Sequence, residues 1–254
     1  MRTIIIRIYV ENMKELSIIV PTYNERDNIH ILYNEINEVL SSVDYELIFV
    51  DDSDDQTPEE IEKICYEDSR VRLIHRDDEK GLATAVIKGF EASEGEYVSV
   101  MDADLQHPPV LQSRMLNAIK SGYDICIPSR FIAGGNDGGL NIYRKFISWT
   151  ARKLGQITLK SLRPMSDVTS GVFMIRKNCI EGADLRPVGW KILVEVLAMA
   201  EYSRVCEIPY AFDERYSGES KISIGVTLDY LKQLRILKKR EKKNRKVSVT
   251  ILDN

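Results

Sequence analysis

Two carboxylates, Asp102 and Asp104, follow an apolar run in the stretch VSVMDADLQHPP, residues 98–109. If the strand continues, side chains two residues apart point to the same side, so these carboxylates repel each other unless one binds a proton. A divalent cation removes that repulsion, and carboxylate oxygens with the Gln106 amide are ligands that Mg²⁺ or Mn²⁺ prefers. The stretch therefore predicts either a metal site or a solvated loop whose aspartate caps a helix near Pro109.

A second segment whose residues could take part in chemistry is RYSGESK, which begins at Arg215 and ends at Lys221. Its glycine and serines, placed after an apolar run, predict a flexible loop that carries two cations. Such a loop can close over a diphosphate whose charge a metal neutralises only in part. The alternative is a surface loop with ordinary charges.

Apolar runs alternate with segments of helical periodicity through the first half of the chain. This alternation predicts right-handed crossovers and a largely parallel sheet. Ligands bind beyond the carboxyl ends of such strands, and PTYNE, DDSDDQT and DADLQ follow three of the runs. A cleft for a cation, or for a polyanion with its metal, is therefore expected there. The runs are residues 16–20, 45–50, 71–75, 97–101 and 124–128.

The pattern changes after Arg130. A glycine-rich loop is expected at 133–141, then a helix that carries Lys and Arg, a strand at 170–175, a helix at about 191–201 and a strand at 205–210. A long terminal helix follows.

Composition and length indicate an ordinary globular α/β protein of one or two domains, because 254 residues can bury a large core. The cysteines are widely spaced without a CxxC pair, which favours reduced, buried thiols over a zinc or redox site. No apolar stretch of about 18 residues predicts a membrane span. The four cysteines are Cys65, Cys126, Cys179 and Cys206.

Charge is distributed unevenly along the chain. The net charge is −4, yet residues 229–246 hold nine Lys or Arg against two acids, which leaves −11 for the rest. The basic segment suits an anionic membrane surface, where each cation contributes about 1 kcal/mol. The alternatives are a helix packed on the domain with a solvated basic end, and RNA binding, which lacks interleaved aromatic residues. The predicted apolar stripe comprises Ile224, Leu228, Leu231, Leu234 and Leu237.

Taken in order, PTYNE, DD, DADLQHPP, SRF, YRKFIS, DVTSGVF and RYSGESK resemble family 2 glycosyltransferases of GT-A fold, and most of all the dolichyl-phosphate mannose synthase group. The resemblance extends over about residues 14–235. DxD is a weak signal by itself, whereas the ordered set is specific. One departure is Gln56, which stands where a glycine is common in this turn.

The resemblance implies a role for each matching residue. Asp102, Asp104, Arg215 and Lys221 would act in catalysis, and Asp104 and Gln106 would hold Mg²⁺ or Mn²⁺. Arg144, Ser148 and Ser170 would receive the acceptor phosphate, although Ser170 and Asp167 could simply begin a strand. His107 is interpreted as structural. The nucleotide-sugar would contact Pro21, Tyr23, Glu25, Val50, Asp52, Asp102, Ala103, Asp104, Arg130, Lys191, Arg215 and Lys221.

The implied reaction is inverting transfer of mannose from GDP-mannose to dolichyl (polyprenyl) phosphate. A phosphate monoester with a second pKa of about 6 is mostly a dianion at neutral pH, so it can attack the sugar C1 without a protein base. The departing diphosphate needs electrostatic help. Alternatives are UDP-glucose as donor, a soluble saccharide acceptor, and a nucleotide-sugar-binding subunit without turnover.

The expected organisation is an N-terminal extension at 1–13, a GT-A catalytic domain at 14–223 and an amphipathic basic helix with a tail at 224–254. The expected place is the cytoplasmic face of a membrane, where a small membrane-protein subunit could be a partner. No nucleic acid is expected to bind.

Overall fold

The computed structural model describes residues 14–138, 142–213, 224–241 and 246–252, with side chains from residue 145 in the second range and from residue 227 in the third. The predicted extension at 1–13 lies outside the described residues. The strands are β1 (Leu16–Thr22), β2 (Tyr45–Asp51), β3 (Val71–His75), β4 (Tyr97–Val100), β5 (Ile125–Ser129), β6 (Phe173–Arg176), β7 (Arg204–Pro209) and β8 (Ser248–Ile251).

Helices connect most of these strands. They are α1 (Arg26–Val39), α2 (Thr57–Glu67), α3 (Leu82–Ala92), α4 (Val110–Lys120), α5 (Ile142–Thr158), α6 (Lys177–Ile180), α7 (Ile192–Met199) and α8 (Ile224–Arg240), with a 3₁₀ turn at Lys160–Leu162. In the described ranges, no helix is long and apolar enough to cross a bilayer.

The strands form one sheet in the order β3-β2-β1-β4-β6-β5-β7-β8. Neighbouring strands are parallel except at β6, which runs antiparallel to both β4 and β5. Because of this reversal, the amino end of β6 meets the carboxyl end of β4, where Phe173 lies opposite Val100. The mostly parallel α/β sheet flanked by helices confirms the expected fold class.

Burial on both faces explains why the apolar runs form strands. All seven residues of β2 are buried, and successive side chains enter different layers: Leu47 and Phe49 pack with α1, α2 and α4, while Ile48 and Val50 pack with α3, α7 and α8. Near-continuous apolar sequence is what a parallel strand covered on both faces requires.

The terminal helix α8 divides its apolar residues between two environments. Leu234 and Leu237 are buried, whereas Leu228 and Leu231 are 62% and 43% exposed. The inner face is anchored because the Tyr230 hydroxyl donates to the Ala151 carbonyl at 2.9 Å. Packing on the domain thus accounts for part of the predicted stripe and leaves the outer part uncovered.

The described residues on both sides of 242–245 contact the domain. Arg240 pairs with buried Glu195 at 3.1 Å, and strand β8 pairs in parallel with β7. Strand β8 was not predicted, because its four residues are short, mostly exposed and preceded by charged residues. The predicted division of the chain at residue 223 stays a prediction.

The link between β2 and β3 generates a pH prediction. His75 lies 2.7 Å from a carboxylate oxygen of buried Asp51, and this hydrogen bond, with Asp77 nearby, raises the pKa of His75 above its ordinary 6.5. Protonation therefore stabilises the folded protein at low pH, and this stability is lost as pH rises through the raised pKa. We expect the free energy of unfolding, measured by urea titration, to fall across that window.

The variant His75→Gln should flatten this pH dependence. Tyr66→Gln, at a residue that is 95% exposed on α2, is the control and should leave the pH dependence unchanged. An unaltered slope in His75→Gln would contradict the assignment.

Candidate active site

The carboxyl ends of β1, β2 and β4 lie side by side at one edge of the sheet. Thr22 pairs with Asp51 at the ends of β1 and β2, and the Met101 N–H donates to Ile19 at the end of β4. This is the edge at which parallel α/β sheets bind ligands. The polar stretches that follow the three strands therefore converge, as the sequence predicted.

The stretch after β4 forms a turn rather than more strand. Because β4 ends at Val100, the alternation expected for Asp102 and Asp104 does not extend to them. Asp104 is buried and its Oδ1 accepts a hydrogen bond from the Gln106 N–H at 3.1 Å, while Leu105 adopts φ +60°. A left-handed Leu is uncommon and marks a turn that its surroundings hold in place.

His107 packs beneath this turn. Its ring lies 5.7 Å from Tyr210 and 5.3 Å from Phe212, and burial, followed by the charges of Arg130 and Lys191, lowers its pKa to about 3. The imidazole is therefore neutral at physiological pH. Its Nδ1 has no hydrogen-bond partner within the described residues and lies 3.7 Å from Asp102 Oδ2.

The Asp102 carboxylate packs against Gly171, where a side chain would not fit. A Cβ at Gly171 would lie 2.3 Å from Asp102 Oδ2 and 3.2 Å from His107 Cε1. The loop that leads into β6 thus packs directly on the first carboxylate of the turn. Gly171 belonged to the predicted strand and to the DVTSGVF motif, but its contact with Asp102 was not predicted because about 70 residues separate the two in the chain.

Cations face this acidic turn from β5 and α7. Arg130 donates to both oxygens of fully buried Asp167, at 2.9 and 3.2 Å. Lys191 donates to the Thr169 carbonyl at 3.2 Å, and burial, reinforced by Arg130, lowers the pKa of Lys191. Burial also acts to lower the pKa of Arg130, but the charge of Asp167 and its hydrogen bonds have the larger combined effect, so the pKa of Arg130 is raised.

Glu207 on β7 holds the Ser166–Asp167 segment that carries the partner of Arg130. Its Oε1 accepts the N–H groups of Ser166 and Asp167 and the Ser166 hydroxyl, at 2.8, 3.3 and 2.8 Å. Burial raises the pKa of Glu207. Sequence analysis missed Glu207, which lies inside an apolar strand run.

The predicted nucleoside end already contains a strong ion pair. Asp52 binds Arg76 through two hydrogen bonds of 2.8 and 2.7 Å and also accepts the Gly81 N–H at 2.7 Å. Arg76 was not predicted, because 24 residues separate it from Asp52. Any ligand contact by Asp52 must therefore share this carboxylate with Arg76.

The other predicted nucleoside contacts differ in exposure. Tyr23 is 38% exposed, with its ring 5.5 Å from Lys80 Nζ, and Glu25 accepts a hydrogen bond from Asn28 at 2.6 Å. Pro21 is half-buried and pairs in register with Val50. The side chains of Val50 and Ala103 belong to the core, so only their backbones could meet a ligand.

The predicted acceptor residues lie on two elements. Ser170 is buried and its hydroxyl donates to the Val172 carbonyl at 2.9 Å, while Ser148 is half-buried on α5. Arg144 lies on α5, but its side chain is outside the described residues, as are Arg215 and Lys221. Asp213, two residues before Arg215, donates its N–H to the Gln106 carbonyl at 3.0 Å. The last residue described before the cationic segment thus lies beside the acidic turn.

The acidic turn fits a hard divalent cation in part. Asp102, Asp104 and Gln106 offer carboxylate and amide oxygens, which are the donors that Mg²⁺ and Mn²⁺ prefer. Across the described ranges, however, no group of three or more His, Cys, Asp or Glu could hold a metal by itself. A cation here would need oxygens from a bound phosphate and from water, which is the usual arrangement for Mg²⁺.

Gly171 provides a test of this geometry. We expect Gly171→Ala to displace Asp102 and to weaken GDP binding in the presence of Mn²⁺ by about tenfold or more, measured by calorimetry. Gly182→Ala is the control: its φ of +70° imposes backbone strain, but no atom lies within 4 Å of the added Cβ. Wild-type affinity in Gly171→Ala would refute the packing argument.

Comparison with solved structures identifies proteins of the same fold. A glucosyl-3-phosphoglycerate synthase from Mycobacterium tuberculosis, solved with Mn²⁺, UDP-glucose and phosphoglyceric acid, matches with a TM-score of 0.68 over 93% of this chain and 83% of that chain at 14% identity. A structure of the same enzyme with Mg²⁺ and UDP matches with a TM-score of 0.61 over 84% and 74% of the two chains at 16% identity. At these identities the likeness concerns the fold, and those neighbours were solved with divalent metals.

Sequence relatives are more similar. The dolichol-phosphate mannosyltransferase of Pyrococcus furiosus is 42% identical over 228 residues, which cover 89% of this chain and 64% of that protein, so this chain spans just under two thirds of its length. The dolichol-phosphate mannosyltransferase of Saccharomyces cerevisiae is 37% identical over 236 residues, which cover 88% and 86%. The sequence model for "Glycosyl transferase family 2" matches residues 17–182, more than half of the chain. This chain therefore belongs to glycosyl transferase family 2.

Proposed function

We propose that this chain is an inverting glycosyltransferase that transfers mannose from GDP-mannose to dolichyl (polyprenyl) phosphate. The observation that carries the proposal is its similarity, at 42% and 37% identity over most of the chain, to two dolichol-phosphate mannosyltransferases. A third relative with that name, from Mycosarcoma maydis, is 33% identical over 230 residues. The geometry of the acidic turn and of its cations supports the reaction type.

The donor lies along the carboxyl edge in this proposal. Tyr23, Glu25 and Asp52, with the backbones of Pro21 and Val50, would hold the nucleoside. Asp102 and Ala103 would contact the nucleotide and the sugar. In support, Pro21 and Val50 are the next-to-last residues of β1 and β2, and the other five residues follow the carboxyl ends of β1, β2 and β4.

The diphosphate lies between the acidic turn and the cations. Asp104 and Gln106 would hold Mg²⁺ or Mn²⁺, and Arg130, Lys191, Arg215 and Lys221 would bind phosphate or sugar. When bound, the metal neutralises charge that develops on the departing diphosphate. Arg215 and Lys221 would add positive charge there. Asp213, the last residue described before them, donates its N–H to the Gln106 carbonyl.

The acceptor phosphate binds at Arg144, Ser148 and Ser170. Its dianion attacks the sugar C1 as the bond to the diphosphate breaks, so no protein base is required. Attack from the side opposite the leaving group inverts C1, and the product is a β-linked mannosyl phosphate.

A donor panel tests the function. The purified chain is incubated with polyprenyl phosphate, Mg²⁺ or Mn²⁺, and GDP-mannose, UDP-glucose or UDP-N-acetylglucosamine in parallel. We expect lipid-linked product from GDP-mannose alone, β-configured by NMR and lost with EDTA. Transfer from UDP-glucose alone would favour the glucosyltransferase alternative, and an α-linked product would exclude inversion.

A single substitution separates catalysis from mere binding. Asp104→Asn should lower the transfer rate at least about 100-fold without unfolding the protein, because it removes a negative metal ligand. Asp44→Asn, at an exposed aspartate that precedes the amino end of β2, is the control. A chain that binds GDP-mannose but does not turn it over in the wild-type form would instead be a binding subunit.

The membrane-surface role draws support from α5 as well as α8. Phe146 and Trp149 are 64% and 49% exposed and stack at 6.4 Å, and residues 141–166 contain six Lys or Arg and no acid. Leu228 and Leu231 of α8 are exposed on the helix that packs on α5 through Tyr230. Aromatic and aliphatic side chains among cations are typical of helices at an anionic membrane interface. We propose peripheral attachment on the cytoplasmic face, where a small membrane-protein subunit would be a partner.

Liposome flotation tests this attachment. The double variant Phe146→Ser with Trp149→Ser should reduce partitioning onto anionic vesicles at least about tenfold, because two large apolar side chains no longer leave water. Tyr66→Ser removes an aromatic ring that is 95% exposed on α2 and should have no effect. Truncation is a poorer probe, since Arg240 is bound to Glu195. If the double variant floats with the vesicles as the wild type does, α5 does not contact the membrane surface.

A further inference from the structure

The ring of Phe131 lies against two guanidinium groups. Arg152 on α5 is 4.1 Å from the ring centroid, and Arg130 at the end of β5 is 5.2 Å from it. Each guanidinium gains from contact with the ring, but two cations held on one ring also repel each other. The arrangement therefore persists only where anions offset the repulsion.

The two arginines are compensated unequally. Both oxygens of Asp167 accept hydrogen bonds from Arg130. Arg152 donates through Nη1 to the Ser166 carbonyl at 3.1 Å, while its buried Nε has no hydrogen-bond partner among the described residues. Burial and then Arg130 lower the pKa of Arg152, and Asp167 and Glu207 offset them only in part. The positive charge of Arg152 is therefore balanced only in part by neighbouring carboxylates.

Arg152 also lies on the side of α5 that carries the predicted acceptor residues. It follows Arg144 and Ser148 at intervals of four residues, so the three lie along one side of α5. Its hydrogen bond to Ser166 reaches the segment whose next residue, Asp167, orients Arg130. Arg152 thus links the predicted acceptor side of the cleft to the arginine at the end of β5.

We propose that Arg152 is a positioning residue for the acceptor phosphate. It fixes Phe131 and the Ser166–Asp167 segment around Arg130, and its partly compensated charge adds positive potential that attracts the phosphate dianion. This inference rests on the proposed transfer to polyprenyl phosphate. It assigns selectivity for the charged acceptor to a residue outside the sequence motifs.

Steady-state kinetics with a short-chain, water-soluble polyprenyl phosphate and no vesicles tests the proposal. Arg152→Gln should raise the KM for the acceptor about tenfold, leave the KM for GDP-mannose within about twofold, and weaken the dependence of the acceptor KM on ionic strength. Lys153→Gln removes the same charge at the exposed neighbouring position and should change neither KM.

The outcomes separate this inference from the proposed function. If the wild type transfers no mannose to polyprenyl phosphate, the proposed function fails and this inference fails with it. If the wild type is active and Arg152→Gln keeps its acceptor KM, or shifts both KM values equally, only the inference fails. Should Arg152→Gln not fold, Arg152→Lys is the substitute, because it keeps the charge but loses the planar contact with Phe131. It must raise the acceptor KM selectively, by less than the Gln variant would, and keep the ionic-strength dependence, and a wild-type acceptor KM would overturn the proposal.

Discussion

Arg130 and Asp167 form a buried ion pair between the end of β5 and the loop that leads into β6. A buried charge that loses its partner destabilises a protein by about 3–5 kcal/mol, so each side chain fixes the other. Glu207 holds the backbone of Asp167 from β7, and Gly171, four residues later, packs on Asp102. The position of the acidic turn after β4 thus depends on contacts that begin at this pair.

The antiparallel strand β6 makes these contacts possible. A parallel strand between β4 and β5 would bring its carboxyl end to the edge of the site, whereas β6 brings its amino end and the loop before it. That loop carries Asp167, Ser170 and Gly171 into the space between acidic and basic groups. Carboxylates on one side and Arg130 with Lys191 on the other suit a polyanion that arrives with a cation, which is the charge pattern of a sugar diphosphate and its metal.

Sequence patterns predicted the parts of this structure that local physics determines. The apolar runs became strands within about two residues, since strands buried on both faces need continuous apolar sequence. The convergence of PTYNE, DDSDDQT and DADLQ followed from parallel topology. The ion pair of Asp52 with Arg76 and the contact of Gly171 with Asp102 could not be predicted, because each joins residues far apart in the chain. Strand β8 was not predicted because its pairing with β7, and not its amino-acid composition, determines that it forms a strand. Likewise, the periodicity of α8 predicted an apolar stripe, but only packing decides which half of that stripe is covered.

We propose that the turn after β4 binds a nucleoside diphosphate through a divalent cation. A crystal structure of this chain with GDP and Mn²⁺, with the metal located by its anomalous scattering, tests it most directly. We expect Mn²⁺ to be bound by the Asp104 carboxylate, the Gln106 side-chain oxygen and the diphosphate. Mn²⁺ bound by His107 Nδ1 instead, or a diphosphate bound away from the carboxyl edge of the sheet, would contradict it.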